Sequence, residues 1–265
     1  MANDKARIGI IGYGYIGSYV YEQITSRPEL GLDIAFVYNR SKDKVADLPA
    51  DLVLDDLADF ASKPADLIIE LAHPAISRDW GTTFLQHTDY MPLSLTALAD
   101  ANLETVLLQT AAANGHCLYI PHGAIVGLEA LNEGKDTWEE VKMVMKKPVR
   151  SLDFSGVDID PQSIDSETTI YDGPARGICP LYPRNVNSHA AVALGGLGFD
   201  RTHSVLVADP ALEVSIIEIE ARGQGVEIQI RRSNPMKGVT GVFTLVSTLA
   251  SICRAKAPGT GVQIC

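Results

Sequence analysis

Cysteine is scarce in this chain. There are four in 265 residues, at positions 117, 179, 253 and 265, with no C-x-x-C spacing and no His/Cys zinc pattern. A disulfide framework and a structural metal are therefore not expected, and reduced thiols point to a cytoplasmic location. Positive charge is short as well: 22 Lys and Arg stand against 33 Asp and Glu, a formal net charge of −11. Such an anionic surface repels phosphate backbones, so no nucleic-acid partner is expected. No apolar run approaches the roughly 20 residues of a membrane helix. The opening MANDKAR is polar, so neither a signal peptide nor a membrane partner is expected. Internal repeats and low-complexity segments are absent too.

What remains is an ordinary globular composition, 46% apolar and 21% charged, in a chain long enough for two packed cores. The first half alternates strand and helix. Strands are expected at Arg7–Ile11, Leu32–Tyr38, Ala65–Leu71, near Met91–Leu95 and at Cys117–Ile120. Helices are expected over Gly14–Thr25, from Pro74 to about Gln86, and from an Asp100 cap to Asn114, the last with Leu103, Val106 and Leu107 inward. This βαβα order predicts an α/β chain with a doubly wound parallel sheet. After about Gly123 the period becomes two, in Trp138–Met145, Ala211–Ala221 and Val226–Arg232. The last two are joined by a glycine-containing turn that predicts a hairpin. A second, α+β domain with a mostly antiparallel sheet follows, interrupted by helices at Pro174–Leu181 and from Asn187. Thr240–Arg254 is amphipathic and is expected to dock back on the first domain. The expected division is residues 1–122 and 239–265 for a dinucleotide-binding domain, and 123–238 for a substrate and dimerisation domain.

Gly12-Tyr13-Gly14-Tyr15-Ile16-Gly17 sits between the first strand and the first helix. G-x-G-x-x-G alone says little; in the first βα unit it predicts a dinucleotide loop. Gly12 permits the tight turn, Gly14 lets backbone approach a pyrophosphate, and Gly17 lets helix and strand pack closely. The exposed N–H groups and the helix dipole attract phosphate. Tyr15 and Ile16 complete the expected cofactor contacts of the loop. The second strand ends in Tyr38-Asn39-Arg40-Ser41, where an NAD-specific loop would carry a carboxylate for the ribose. Asn39, Arg40 and Ser41 instead suit a 2′-phosphate, so NADP is favoured over NAD.

Further along, Tyr171-Asp172-Gly173-Pro174-Ala175-Arg176, Tyr182-Pro183-Arg184-Asn185-Val186-Asn187, Ala190–Thr202 (AAVALGGLGFDRT) and Leu206–Pro210 occur in that order. With Gly123–Leu128 upstream, the pattern resembles the L-aspartate dehydrogenase family through nearly the whole chain. The resemblance implies a Rossmann-type domain plus an α/β domain, a homodimer, and nicotinamide-dependent oxidation of L-aspartate to iminoaspartate or the reverse amination of oxaloacetate. It also implies that Ala124 and Asn187 contact the coenzyme; an asparagine before a helix is equally suited to capping it. One position departs from the pattern: Ile217 stands where the family carries a catalytic histidine. His189, His73 and His122 are the candidate replacements, because a histidine's ordinary pKa suits proton exchange. An acidic substrate needs cations, and Arg176, Arg184, Arg231, Arg232 and Lys237 are the candidates. Adjacent Arg231 and Arg232 must face opposite sides of a regular strand. The aliphatic Ile217 leaves two alternatives open, a less polar imine or carbonyl substrate and a cofactor-binding pseudoenzyme. No metal site is expected.

Overall fold

The computed structural model describes residues 5–237 and 240–256, except for the side chains of residues 236, 237 and 240. In chain order the elements are β1 (Ala6–Ile11), α1 (Tyr15–Ser26), β2 (Leu32–Tyr38), β3 (Leu67–Glu70), α2 (Pro74–Leu85), β4 (Asp89–Pro92), α3 (Ala101–Asn114), α4 (Leu128–Glu133), β5 (Trp138–Lys147), β6 (Thr168–Pro174), α5 (Ala175–Leu181), α6 (Asn187–Gly195), β7 (Thr202–Ala208), β8 (Val214–Gly223), β9 (Val226–Lys237), β10 (Thr240–Gly241) and α7 (Phe243–Lys256). They form two compact units, one of residues 1–94, 105–121 and 245–265, the other of residues 95–104 and 122–244.

The first unit is built on a parallel sheet of order β2-β1-β3-β4. Single parallel bridges at Val37–Val53 and Tyr90–Leu118 extend it by one residue pair at each edge. The strand expected at Cys117–Ile120 is reduced to that Leu118 bridge. The chain leaves β1 toward one edge and returns at β3 toward the other, so the carboxyl ends of β1 and β3 form the switch point where doubly wound sheets bind ligands. Both faces are covered, which explains the near-continuous apolar runs of β1 and β3. Ile8, Ile10, Leu32, Leu67 and Ile69 pack with Val20 and Ile24 of α1 and with Leu249 and Ile252 of α7 in one buried cluster. The last helix therefore belongs to the core of the first unit. On α3 the inward face is Leu107 and Ala111, while Val106 is 44% exposed. Asp100 does cap that helix, accepting from the N–H groups of Asn102 (2.9 Å) and Leu103 (3.2 Å).

The second unit carries a mixed sheet of order β10-β9-β8-β5-β7-β6, in which β5–β7 is the parallel pair. The expected hairpin is β8–β9, closing from Gly223 to Val226. The strands β6 and β7 were not anticipated; they lie within the stretches that carry the family resemblance. Residues 95–104, expected in the first domain, cluster with the second unit. The reason is hydrogen bonding: Thr96 Oγ1 donates to Pro183 O (2.9 Å), and Arg176 Nη1 donates to Ala99 O (2.6 Å).

Candidate functional site

In the first unit the glycine loop has the geometry its sequence requires. Gly12 adopts φ 102°, closed to other residues at low cost, and its N–H donates to Tyr38 O at 2.8 Å. A Cβ on Gly12 would also lie 2.8 Å from Leu71 O, because the loops after β1 and β3 touch at the switch point. A Cβ on Gly17 would lie 1.9 Å from Gly12 O. Gly14 is different. Its φ and ψ, −96° and −156°, suit any residue, and nothing stands within 4 Å of where its Cβ would be. The folded chain gives no reason for glycine there, whereas a diphosphate lying against the backbone does. Gly14 also caps α1, whose first turn has no acidic residue and no side-chain cap, so its N–H groups and positive dipole end face outward. These residues fit a nicotinamide dinucleotide. Tyr15 is partly exposed at this N-terminus, while the Ile16 side chain packs on the core, leaving its backbone as the part that can meet a cofactor.

Asn39 latches this loop: its Oδ1 accepts from Tyr13 N–H (2.9 Å) and its Nδ2 donates to Ser41 O (2.8 Å). Lys42 turns away, bonding the carbonyls of Leu54 (3.1 Å) and Asp55 and lying over the Tyr38 ring. Arg40 and Ser41 are left exposed at the end of β2. Glu70, which sequence reasoning passed over as part of an apolar run, is fully buried at the end of β3. Its Oε1 accepts from Ala72 N–H (2.6 Å), His73 N–H (2.7 Å) and Ser94 Oγ (3.0 Å), and its Oε2 from Ser94 N–H (3.1 Å). Burial raises its carboxyl pKa above the ordinary range, against these four donors, which favour the anion. Glu70 thereby fixes the loop on which Gly12 rests.

The three histidine candidates part company. His73 is the N-cap of α2, its Nδ1 accepting from Ala75 N–H at 3.1 Å. His122 pairs through Nε2 with Glu129 Oε1 at 3.1 Å. His189 is fully buried with neither ring nitrogen hydrogen-bonded. Burial, then the nearby Lys147 charge, pushes its pKa down to about 3. Both causes favour the neutral imidazole. Asn187 is the first residue of α6 rather than its cap, which is Val186. Its Oδ1 accepts from Thr96 N–H at 3.2 Å, an orientation that leaves the amide NH2 to donate elsewhere. Ala124 is half-buried in the turn closed by Ile125 N–H to His122 O (2.8 Å).

The arginine candidates are separated as sharply. Arg176 holds Asp200 through two bonds, Nε to Oδ1 (2.6 Å) and Nη2 to Oδ2 (2.8 Å), besides Ala99 O. It stitches Y-D-G-P-A-R to G-F-D-R-T, with acceptors already on Nε, Nη1 and Nη2. Arg184 pairs with Asp153 and Arg231 with Glu218, both with exposed side chains. The Lys237 side chain lies outside the described residues. Arg232 is on the covered face, directly opposite Ile217, and its Nε and Nη1 are buried without a hydrogen-bond partner. Burial lowers its pKa. Ile217 itself is 2% exposed and faces Met145 on its other side.

Lys147 was not among the candidates. It ends β5 on that same face, 4% exposed, with its Nζ 3.3 Å from Asn185 O. Burial, then the Arg232 charge, pushes its pKa down to about 8. Among the described residues, every buried side-chain nitrogen or oxygen lacking a hydrogen bond lies in this unit: Tyr182 Oη, both His189 nitrogens, Thr202 Oγ1, Ser204 Oγ, and Arg232 Nε and Nη1. Buried polar groups are ordinarily satisfied. Thr202 and Ser204 pair with Val141 and Met143 and so share the sheet face of Met145, Ile217 and Arg232, and no acid is among the groups that shift the pKa of Lys147 or Arg232.

Comparison with known proteins agrees with both halves. Residues 12–121 match the homoserine dehydrogenase NAD-binding domain, and residues 128–255 match the C-terminal domain of aspartate dehydrogenase. An aspartate dehydrogenase domain-containing protein of Xenopus tropicalis is 36% identical over 98% of each chain. The L-aspartate dehydrogenase of Nitrosopumilus maritimus is 28% identical over 93% of this chain and 96% of its own. The crystal structure of aspartate dehydrogenase from Thermotoga maritima superposes with a TM-score of 0.72 at 25% identity, covering 94% of each chain. Cofactor loop, second-unit sheet and full-length similarity converge: the chain belongs to the aspartate dehydrogenase family of nicotinamide-dependent oxidoreductases.

Proposed function

We propose that this protein is an NADP-preferring dehydrogenase of L-aspartate, forming iminoaspartate, and that it runs in reverse as a reductive amination of oxaloacetate. The observation that carries the substrate class is Arg232, a half-buried guanidinium whose Nε and Nη1 are buried without a hydrogen-bond partner among the described residues. A substrate carboxylate supplies the missing acceptor, and arginine's fork suits it. The bound nicotinamide supplies hydride transfer at the substrate α-carbon. The chain's own work is to hold the diphosphate on the α1 N-terminus, to seat the 2′-phosphate against Arg40 and Ser41, to orient the carboxamide through Asn187, and to anchor the acid on Arg232.

Ile217 favours a second reading, in which the substrate is a less polar imine or carbonyl compound, because this buried aliphatic side chain lies on the same sheet face as Arg232, directly across from it. Nicotinamide absorbance separates the two when aspartate, glutamate, oxaloacetate with ammonia, and uncharged analogues are each tried with both coenzymes. Turnover confined to the dicarboxylates, faster with the phosphorylated coenzyme, is expected. Turnover of uncharged analogues alone sinks the first reading. The family resemblance supports a homodimer, which sedimentation velocity reads directly, and the free thiols of Cys117, Cys179 and Cys253 are in keeping with a cytoplasmic location. No helix among the described residues is long and apolar enough to cross a membrane.

A further inference from the structure

We propose that Lys147 is the group that exchanges a proton with the substrate nitrogen, in place of the histidine that position 217 lacks. The inference rests on the aspartate reading above and deepens it.

The geometry comes from sheet register. Along β5 the covered face runs Val141, Met143, Met145, Lys147. Met145 pairs with Ile217 on β8, and Ile217 pairs with Arg232 on β9. Lys147 therefore lies one pleat further along the same face than the residue occupying the histidine's position, and the anion-binding Arg232 lies two strands away. The setting is unusual for a structural lysine. Its ammonium has three donors, yet the recorded bond is one long contact to a main-chain carbonyl, Asn185 O at 3.3 Å. That carbonyl is held in place by its own side chain, which accepts from Asp153 N–H (2.7 Å) and donates to Ser151 O (3.0 Å). The charged or titratable groups beside Lys147 are Arg232 from β9 and His189 from α6. Neither is an acid, and neither changes protonation near pH 8. Burial among cations leaves part of the lysine as a free amine at neutral pH, about a tenth at pH 7 for a pKa of about 8.

The step balances simply. The α-ammonium of aspartate gives one proton to the neutral Lys147 amine, which becomes an ammonium. The Cα–H bond then breaks, its electron pair leaving as hydride to the oxidised nicotinamide coenzyme, and the C–N bond becomes the double bond of the iminium. In the reverse direction the Lys147 ammonium returns its proton to the newly formed amine. Arg232, charged throughout, holds the carboxylate.

The test uses the full-length protein and two variants, Lys147→Met and Lys147→Arg. In wild type, kcat/KM for aspartate falls on the acid side of pH 8. Both variants lose roughly 10²–10⁴ in kcat, the usual worth of a general base, and lose that acid limb, while KM for the coenzyme stays unchanged. A second readout needs no turnover. Succinate carries both carboxylates and no amine. Calorimetry of succinate binding at pH 8, in two buffers of different ionisation heat, should show wild type taking up about half a proton, and the Met variant none. If wild type turns over but the variants keep its rate, pH profile and proton uptake, the role of Lys147 is overturned while the aspartate reading stands. Absence of proton uptake by wild type overturns it also, even if the variants do not fold. If wild type acts on neither aspartate nor oxaloacetate with ammonia, the functional reading fails and takes the lysine's role with it.

Discussion

Gly14→Ala and Gly17→Ala form a matched pair of perturbations on the same loop, with opposite expected outcomes. At Gly17 the added methyl would sit 1.9 Å from the Gly12 carbonyl oxygen. The contact is backbone, so α1 itself must move. Forced overpacking costs about 1–3 kcal/mol, and at about 2–4 °C per kcal/mol for a chain of this size the melting temperature should fall by about 2–12 °C. At Gly14 the methyl meets nothing within 4 Å, and the backbone angles suit alanine. Losing glycine's good helix cap and stiffening the unfolded chain partly offset each other, leaving a change within about 1 kcal/mol. The methyl does occupy the space through which a diphosphate reaches the N–H groups of α1. Losing one charge-assisted bond there costs about 1.5–3 kcal/mol, which is roughly a 10- to 150-fold weaker coenzyme Kd. Differential scanning fluorimetry reads the first quantity and tryptophan quenching by NADH and NADPH the second. If Gly14→Ala binds both coenzymes as tightly as the parent, the diphosphate does not lie on this loop.

Arg40→Ala should weaken NADPH binding about tenfold or more and leave NADH nearly unchanged; equal losses for both would remove Arg40 from the 2′-phosphate. Arg232→Met should raise KM for aspartate steeply while raising the melting temperature, because it deletes a half-buried charge whose Nε and Nη1 have no hydrogen-bond partner among the described residues. The Lys147 ammonium gives a pH dependence of definite sign. Its pKa is about 8 folded against 10.5 unfolded, so the unfolded chain binds more protons in that window and stability rises with pH through it. The full effect is about 3 kcal/mol, read as urea midpoints from pH 8 to 10.5, and Lys147→Met should flatten it. Ile252→Ala, at a fully buried position in the first unit's core, should cost about 2–5 kcal/mol and reduce coenzyme binding by unfolding that unit, which heating curves with and without NADPH would report.

The parallel sheet, the hairpin and the glycine loop were legible in the sequence because each follows a local periodicity or a backbone requirement. The chemistry of the second unit was only half legible. Lys147 lies two residues beyond Met145, where the period-two run read from the sequence ends. Extending the same parity by one step puts it on the covered face, a signal that was present and unused. Glu70 was hidden because a carboxylate at the end of an apolar strand resembles a strand terminus; only the donors from Ala72, His73 and Ser94, up to 24 residues away, identify its role. The choice among Arg176, Arg184, Arg231 and Arg232 was illegible, since it depends on Asp200, Asp153 and Glu218, partners that the fold alone brings near. Tyr171 and Arg176, which help carry the family resemblance, serve as scaffold: the Tyr171 hydroxyl donates to Pro174 O at 2.7 Å, and Arg176 ties down Asp200.

The place of α7 in the first unit has a consequence for biosynthesis. Leu249 and Ile252 complete a core whose other members lie between Ile8 and Met91. A ribosome adding 5–20 residues per second leaves Pro121 behind and must make residues 122–244 before α7 emerges, a delay of roughly 6–25 s. For that interval the nascent coenzyme unit exposes the groove that Leu249 and Ile252 will fill, and it is then that a chaperone has most reason to bind it.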